Sequence, residues 1–193
     1  LAQYNNGGVI RQITDMNAER FGDSLAQSEI LIVPPIEITN ESYAALKPQI
    51  DAFISQGGVV LIAGLQQKDA LVQMGLITAT TTYADYYYPV IEKTNPGHGL
   101  AASTPNTPFT MEYYQLSMTF PSNAGFVRVM KVQGQSGDYL SYKLNGKGLI
   151  IWWGNLFDYQ TSNSGLIWTD IMDWSANPLP NGASIQGSST GIV

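Results

Sequence analysis

Glu29-Ile30-Leu31-Ile32-Val33-Pro34-Pro35 and its counterpart Gly57-Gly58-Val59-Val60-Leu61-Ile62-Ala63-Gly64 decide the fold of this 193-residue chain. Each is an uninterrupted apolar run closed by proline or glycine. A strand with one wet face alternates apolar and polar residues. A continuous run therefore reads as a parallel strand buried on both faces. Between the two, Tyr43, Leu46, Ile50, Phe53 and Ile54 recur at spacings of three and four, which is one stripe of a helix. Thr39 or Asn40 is placed to cap that helix, Pro48 to kink or split it, and Gly57-Gly58 to stop it. Strand, helix and strand in under forty residues make a βαβ unit, right-handed by the general rule.

Working outward, Val9 to Ile13 is a strand candidate after the Asn5-Asn6-Gly7-Gly8 turn signal. Ala18 to Gln27 reads as a short helix or loop, and Lys68 to Met74 as a short helix closed by Gly75. The second half changes character. Thr78 to Tyr88 has no helical period, and Asn95 to Pro108 is loop-like. Phe126 to Val132 alternates as a half-exposed strand does. Asp138 to Leu144, the Asn145-Gly146 turn and Leu149 to Trp153 read as a hairpin. Trp152 and Trp153 then point to opposite faces, so at least one is core. A last helix covers about Ser164 to Trp174, with Leu166, Ile167, Ile171 and Trp174 assigned to one face. The expected division is one domain over 1–176, then a Gly/Ser/Pro-rich tail or linker over 177–193.

Composition narrows function by exclusion. Charged residues are 12% of the chain, about half the roughly 25% usual in soluble domains. Polar uncharged residues and eleven tyrosines take their place, a surface common among secreted and cell-surface proteins. The net charge is −6 and the basic residues are scattered, which argues against nucleic acid as a partner. No run is long enough to span a bilayer. There is no cysteine, which removes disulfides, thiolate metal sites and thiol nucleophiles.

Several of these stretches together resemble the class I glutamine amidotransferase-like superfamily, in its catalytically reduced branch near the ThuA-like (trehalose-utilisation) domains. Ser28 to Pro34 looks like the family's strand ending in a small residue or proline. Leu46 to Gly64 is similar to its segment of helix, Gly-Gly, buried strand and Gly. Asn95-Pro96-Gly97-His98-Gly99-Leu100 resembles a loop usually written around His-Pro-hydrophobic. Tyr142 to Asp158 and the closing helix through Asp173-Trp174 extend the likeness, which covers roughly residues 8 to 176. The resemblance implies an α/β fold: a doubly wound, mainly parallel, flavodoxin-like sheet, with β-hairpin additions in the second half. It also implies a strand and helix ahead of Val9. The expectation is that upstream sequence carries that strand, or that another segment donates it, the Ile192-Val193 end or another subunit being candidates.

Where active amidotransferases hold their nucleophilic cysteine, this chain reads Ala63-Gly64-Leu65. After the last strand it reads Gly154-Asn155-Leu156-Phe157-Asp158, without the family's late histidine. No catalytic residue, cofactor or metal site is therefore assigned. The candidate ligand-binding residues are Tyr86, Tyr87, His98, Glu112 and Asp158. His98, the single histidine, stands between glycines as a base, a ligand or a loop histidine bonded to backbone. Tyr86 and Tyr87, with Tyr83, Tyr88 and Asp85, form either a platform for sugar rings or a packed cluster. Glu112, beside Tyr113 and Tyr114, can pair with Asp85 or Glu92 as an acid-base couple. Asp158 lies past a strand's C-terminal end, where open α/β sheets hold ligands, or caps a turn. The resulting expectation is a non-catalytic module of a larger secreted or cell-surface protein. It would act in assembly or adhesion, with other domains or copies as partners. The alternative is a carbohydrate-binding or carbohydrate-active module.

Overall fold

The computed structural model describes residues 17–34, 43–64, 68–155 and 162–176. The strand expected at 9–13, the helix cap at Thr39 or Asn40, Asp158 and the 177–193 tail lie outside them.

Among the described residues, nine strands and four α-helices appear in the order α1 (Ala18–Leu25), β1 (Ile30–Val33), α2 (Lys47–Ser55), β2 (Val59–Ala63), α3 (Lys68–Gln73), β3 (Thr82–Tyr87), β4 (Val90–Lys93), β5 (Phe109–Thr110), β6 (Tyr114–Thr119), β7 (Val127–Val132), β8 (Asp138–Asn145), β9 (Gly148–Trp153) and α4 (Ser162–Ala176). The strands join one mixed sheet in the order β1-β2-β9-β8-β7-β4-β5. β6 attaches to β8, and β3 pairs with β6. The βαβ unit is present: β1 and β2 are adjacent and parallel, with Ile30 opposite Val59. Pro48 splits the intervening helix. A 3-10 turn spans Tyr43–Leu46, and α2 starts at Lys47 with the proline in its first turn, where a missing N–H costs nothing.

Two expectations need correction. Parallel pairing does not dominate: β1–β2 and β2–β9 are parallel, while the other six described pairings are antiparallel. The reason is connection length. A two-residue link such as Gly146-Lys147, closed by the Asn145–Gly148 pair, can join only antiparallel strands. An apolar run reports burial, not the direction of its neighbour. The second correction concerns β1, of which only Val33 is buried while Ile30 to Ile32 are half-buried. β2 is its one neighbour among the described strands. β2 and β9, by contrast, are buried throughout.

Period-two alternation sorts these strands onto two cores. Val60, Ile62, Ile150 and Trp152 face α1, α2 and α3 through Phe21, Leu25, Ile50, Ile54 and Leu71. Val59, Leu61, Ile151 and Trp153 face α4 through Ile167, Trp168, Ile171 and Trp174. Both adjacent tryptophans are thus core, one on each side. On α4 the buried face includes Trp168, and Leu166 is exposed instead, since residue 166 lies about 100° round the helix from 167.

The Asn17 carboxamide oxygen caps α1, accepting from the amides of Glu19 (3.1 Å) and Arg20 (3.4 Å). Asn17→Ala should lower stability by about 1 kcal/mol, read as a shift of the urea midpoint at unchanged slope.

Candidate functional site

The C-terminal end of the parallel strands is where open α/β sheets hold ligands. β2 ends there at the buried Ala63, and Gly64 leaves the sheet in the left-handed region, φ 55°. Its N–H donates to the Trp153 carbonyl at 2.9 Å. β9 ends at Trp153, and β6 crosses against the Gly154 that follows it. The Leu116 N–H donates to the Gly154 carbonyl and the Gly154 N–H to the Tyr139 carbonyl, each at 2.8 Å. Around this crossing Gln115, Tyr139 and Asn155 are buried. The Tyr139 hydroxyl donates to Gln115 Oε1 at 2.9 Å, and Gln115 Nε2 donates to the Glu112 carbonyl at 3.0 Å. Burial pushes the Tyr139 phenol's pKa up, so it stays neutral. The strand end is closed by a hydrogen-bonded amide and phenol, with neither thiol nor ionised base among its described side chains.

His98 is not at that crossing. The residue is 1% exposed, its ring 4.8 Å from the Tyr142 ring and 5.0 Å from Trp174 between centroids. Nδ1 accepts the Leu100 N–H at 3.1 Å and so caps the 3-10 turn Gly99–Ala101. Nε2 has no hydrogen-bond partner among the described residues. Burial in apolar surroundings lowers its pKa from 6.5 to about 4, because charging the ring there would forfeit its hydration. Gly99 makes the packing possible, since a Cβ would stand 2.4 Å from Trp174 Cδ1.

The tyrosines form the other candidate. In the β3–β6 ladder Tyr83 is opposite Met118, Asp85 opposite Leu116 and Tyr87 opposite Tyr114. The Tyr114 hydroxyl donates to Asp85 Oδ2 at 2.6 Å. Partial burial, then this bond to a carboxylate, pushes Tyr114 up to about 12. Tyr87 meets Tyr114 edge-on at 5.2 Å and Tyr113 at 6.5 Å, and Tyr88 meets Tyr113 at 6.4 Å. Tyr87 is 70% exposed, Tyr88 58%, Tyr83 49% and Tyr113 39%. A run of large aromatics this open to water is unusual for a packed surface.

Of the residues singled out from sequence, the structure brings Tyr87 and Asp85 together with Tyr113 and Tyr114. Glu112 is exposed beside them. Tyr86 faces the other side of β3 and packs on the α4 core. His98 sits in that same core, with Tyr142 and Trp174 rather than with the exposed tyrosines. Glu92 is engaged by Lys131 at 3.0 Å. No three of His, Asp and Glu gather as a metal site among the described residues, and no described helix is long and apolar enough to cross a membrane. The pairing of Asp85 with Tyr114, twenty-nine residues on, escaped sequence reasoning because only the register of the ladder makes it.

No protein-family model and no curated protein sequence matches the chain. Solved structures do. A putative ThuA-like protein from Bacteroides uniformis is similar at a TM-score of 0.62 and 12% identity, over 94% of this chain and 82% of that one. A cytoplasmic protein from Salmonella typhimurium is similar at 0.57 and 10% identity, over 86% and 76%. A β-galactosidase from Rahnella is similar at 0.54 and 12% identity, over 80% of this chain but 24% of that one. The fold is thus an α/β fold similar to that of ThuA-like proteins. At these identities the likeness concerns the fold alone.

Proposed function

We propose that this chain is a catalytically reduced, non-catalytic amidotransferase-like module on a flavodoxin-like frame. In this reading it is one part of a larger secreted or cell-surface protein and acts in assembly or adhesion. The observation that carries the reading is the end of β2, where Ala63 and Gly64 stand in place of the nucleophile that the fold family uses. The buried His98 supports it, since a ring without water or substrate access is no general base. The parallel trio β1-β2-β9 supports the flavodoxin-like frame, and the mixed strands beyond β9 are additions to it. The β-galactosidase match, confined to a quarter of a longer chain, is consistent with such a fold serving as a module.

The reading predicts that the intact protein turns over nothing in a panel of amide, ester and glycoside substrates. Turnover abolished by Asp85→Asn or Glu112→Gln would replace it with a carboxylate enzyme.

A second reading, a carbohydrate-binding module, is favoured by one observation: exposed tyrosine rings beside the Asp85 and Glu112 carboxylates. Tyrosine offers an apolar face for a sugar ring and a polar tip for its hydroxyls. Glycan-array binding that disappears in Tyr87→Ala is its expected result.

A further inference from the structure

Tyr88 and Tyr113 are the two non-glycine residues with positive φ among those described, at 50° and 62°. They are also neighbours: the Tyr88 N–H donates to the Tyr113 carbonyl at 2.9 Å. The left-handed region crowds a Cβ against the backbone, a cost that glycine avoids and asparagine reduces. Such strain persists where surrounding structure enforces it, and it clusters at ligand-contacting sites. Packing does not explain the choice of tyrosine at 88, which leaves more than half its surface in water.

The adjoining strand is equally unguarded. β3 pairs with β6 alone among the described strands, so its other edge presents backbone donors and acceptors that no described residue pairs. Proteins protect such edges with charged side chains, lysine above all, with proline or with a bulge. Thr82-Tyr83-Ala84-Asp85-Tyr86-Tyr87 has no lysine or proline, its one charged side chain, Asp85, accepts from the Tyr114 hydroxyl, and its register with β6 is unbroken over six pairs.

Charge selects the partner. There is no Lys or Arg between Lys68 and Lys93, nor between Lys93 and Arg128, so β3, β6 and the turns joining them to their neighbours carry carboxylates and no cation. Three nearby cations are engaged: Lys93 with the Thr104 carbonyl and Asn106 Oδ1, Lys131 with Glu92, and Arg128 with Asp138. Asp85 has the Tyr114 hydroxyl as partner and no described basic side chain in ion-pair reach. Aromatic faces beside an uncompensated carboxylate suit guanidinium and ammonium groups.

We infer that the open edge of β3 docks an extended, basic segment of a partner protein as an added strand. The peptide backbone completes the ladder, and its Arg or Lys side chains lie on Tyr83, Tyr87, Tyr88 and Tyr113 and reach Asp85. The chain's own 177–193 segment has no charged residue and offers no such complement. A second copy of β3 would oppose one acidic strand to another, which is unfavourable. The inference rests on the reading of this chain as a binding module and names the chemistry of its partner.

The test is fluorescence anisotropy of the intact chain with a labelled octapeptide of alternating arginine and threonine. Its comparators are the glutamate–threonine and glutamine–threonine peptides and an N-methylated arginine–threonine peptide. The arginine peptide should bind at least about tenfold more tightly than each comparator and weaken as salt is raised. Tyr87→Ala and Tyr88→Ala should each weaken it severalfold, with circular dichroism confirming a folded chain. Asp85→Lys should reverse the preference towards the glutamate peptide, which a merely misfolded variant cannot do. Equal binding of all peptides, or an N-methylated peptide that binds as well as its parent, overturns the inference. So does glycan binding lost in Tyr87→Ala without peptide discrimination, which leaves the chain a binding module of the second kind. Turnover of a substrate would instead overturn the module reading itself.

Discussion

Gly154→Ala should destabilise the protein severely. A Cβ at residue 154 would stand 1.9 Å from the Leu116 carbonyl oxygen and 2.8 Å from Tyr139 Cδ2. The first contact is with backbone, so no rotamer change relieves it. β6 would have to back away from β9, releasing the Leu116–Gly154 hydrogen bond and straining the bond from Gly154 to Tyr139. Overpacking of this kind, with a buried amide left unpaired, costs about 3 kcal/mol or more, against a total stability of about 5 to 15 kcal/mol for an ordinary domain. Urea unfolding followed by tryptophan fluorescence measures it. The matched control is Gly97→Ala, whose Cβ meets nothing within 4 Å; it should change stability by less than about 0.5 kcal/mol. Stability equal to the control would mean that β6 does not pack against Gly154.

Acidification should weaken the fold through His98. Its pKa falls from 6.5 to about 4 on folding, by burial. Between those values the unfolded chain binds a proton that the folded chain does not, so stability rises with pH across the window. The contribution is fully present above about pH 6.5 and is lost as pH falls towards 4. The full difference is about 3 kcal/mol at about 1.4 kcal/mol per unit, of which about 2 kcal/mol is lost between pH 7 and pH 5. Two buried carboxylates act with the opposite sign. Burial raises Asp138 and Asp170, opposed by Arg128 at the first and by the Ser103 amide and Lys93 at the second. The informative quantity is therefore the pH slope of the native chain minus that of His98→Asn, which keeps an acceptor for the Leu100 N–H and removes the titrating ring. Parallel slopes for the two proteins would mean that His98 is wet and charged, contrary to its place between Tyr142 and Trp174.

The same residues show why the site was less legible than the fold. Tyr83, Asp85 and Tyr87 announce one face of a strand through their alternation, and the Thr/Tyr composition marks them as unusual. Nothing local tells that Tyr114 closes on Asp85, or that Glu92 is held by Lys131 across β4 and β7. Those pairings depend on which strands lie side by side and in what register. His98 reads alike as ligand, base or core residue until Trp174, seventy-six positions later, packs against it. Gly154 looks like any glycine after a strand until β6 crosses it.

Sequence by itself determined what short-range chemistry controls. It set the two apolar runs that become β1 and β2, the proline that splits the helix between them, the Asn-Gly hairpin, and the absence of a thiol from the turn at Gly64. These follow from apolar spacing, backbone restriction and composition, all local to a few residues. The tertiary structure alone decided that β7 and β4 continue the sheet antiparallel beyond the β8–β9 hairpin and that His98 is buried and neutral. It also decided that the exposed tyrosines gather with Asp85 at an open edge. Each of these depends on contacts between distant segments, whose free energy comes from burying surface and pairing backbone that no single stretch of chain contains.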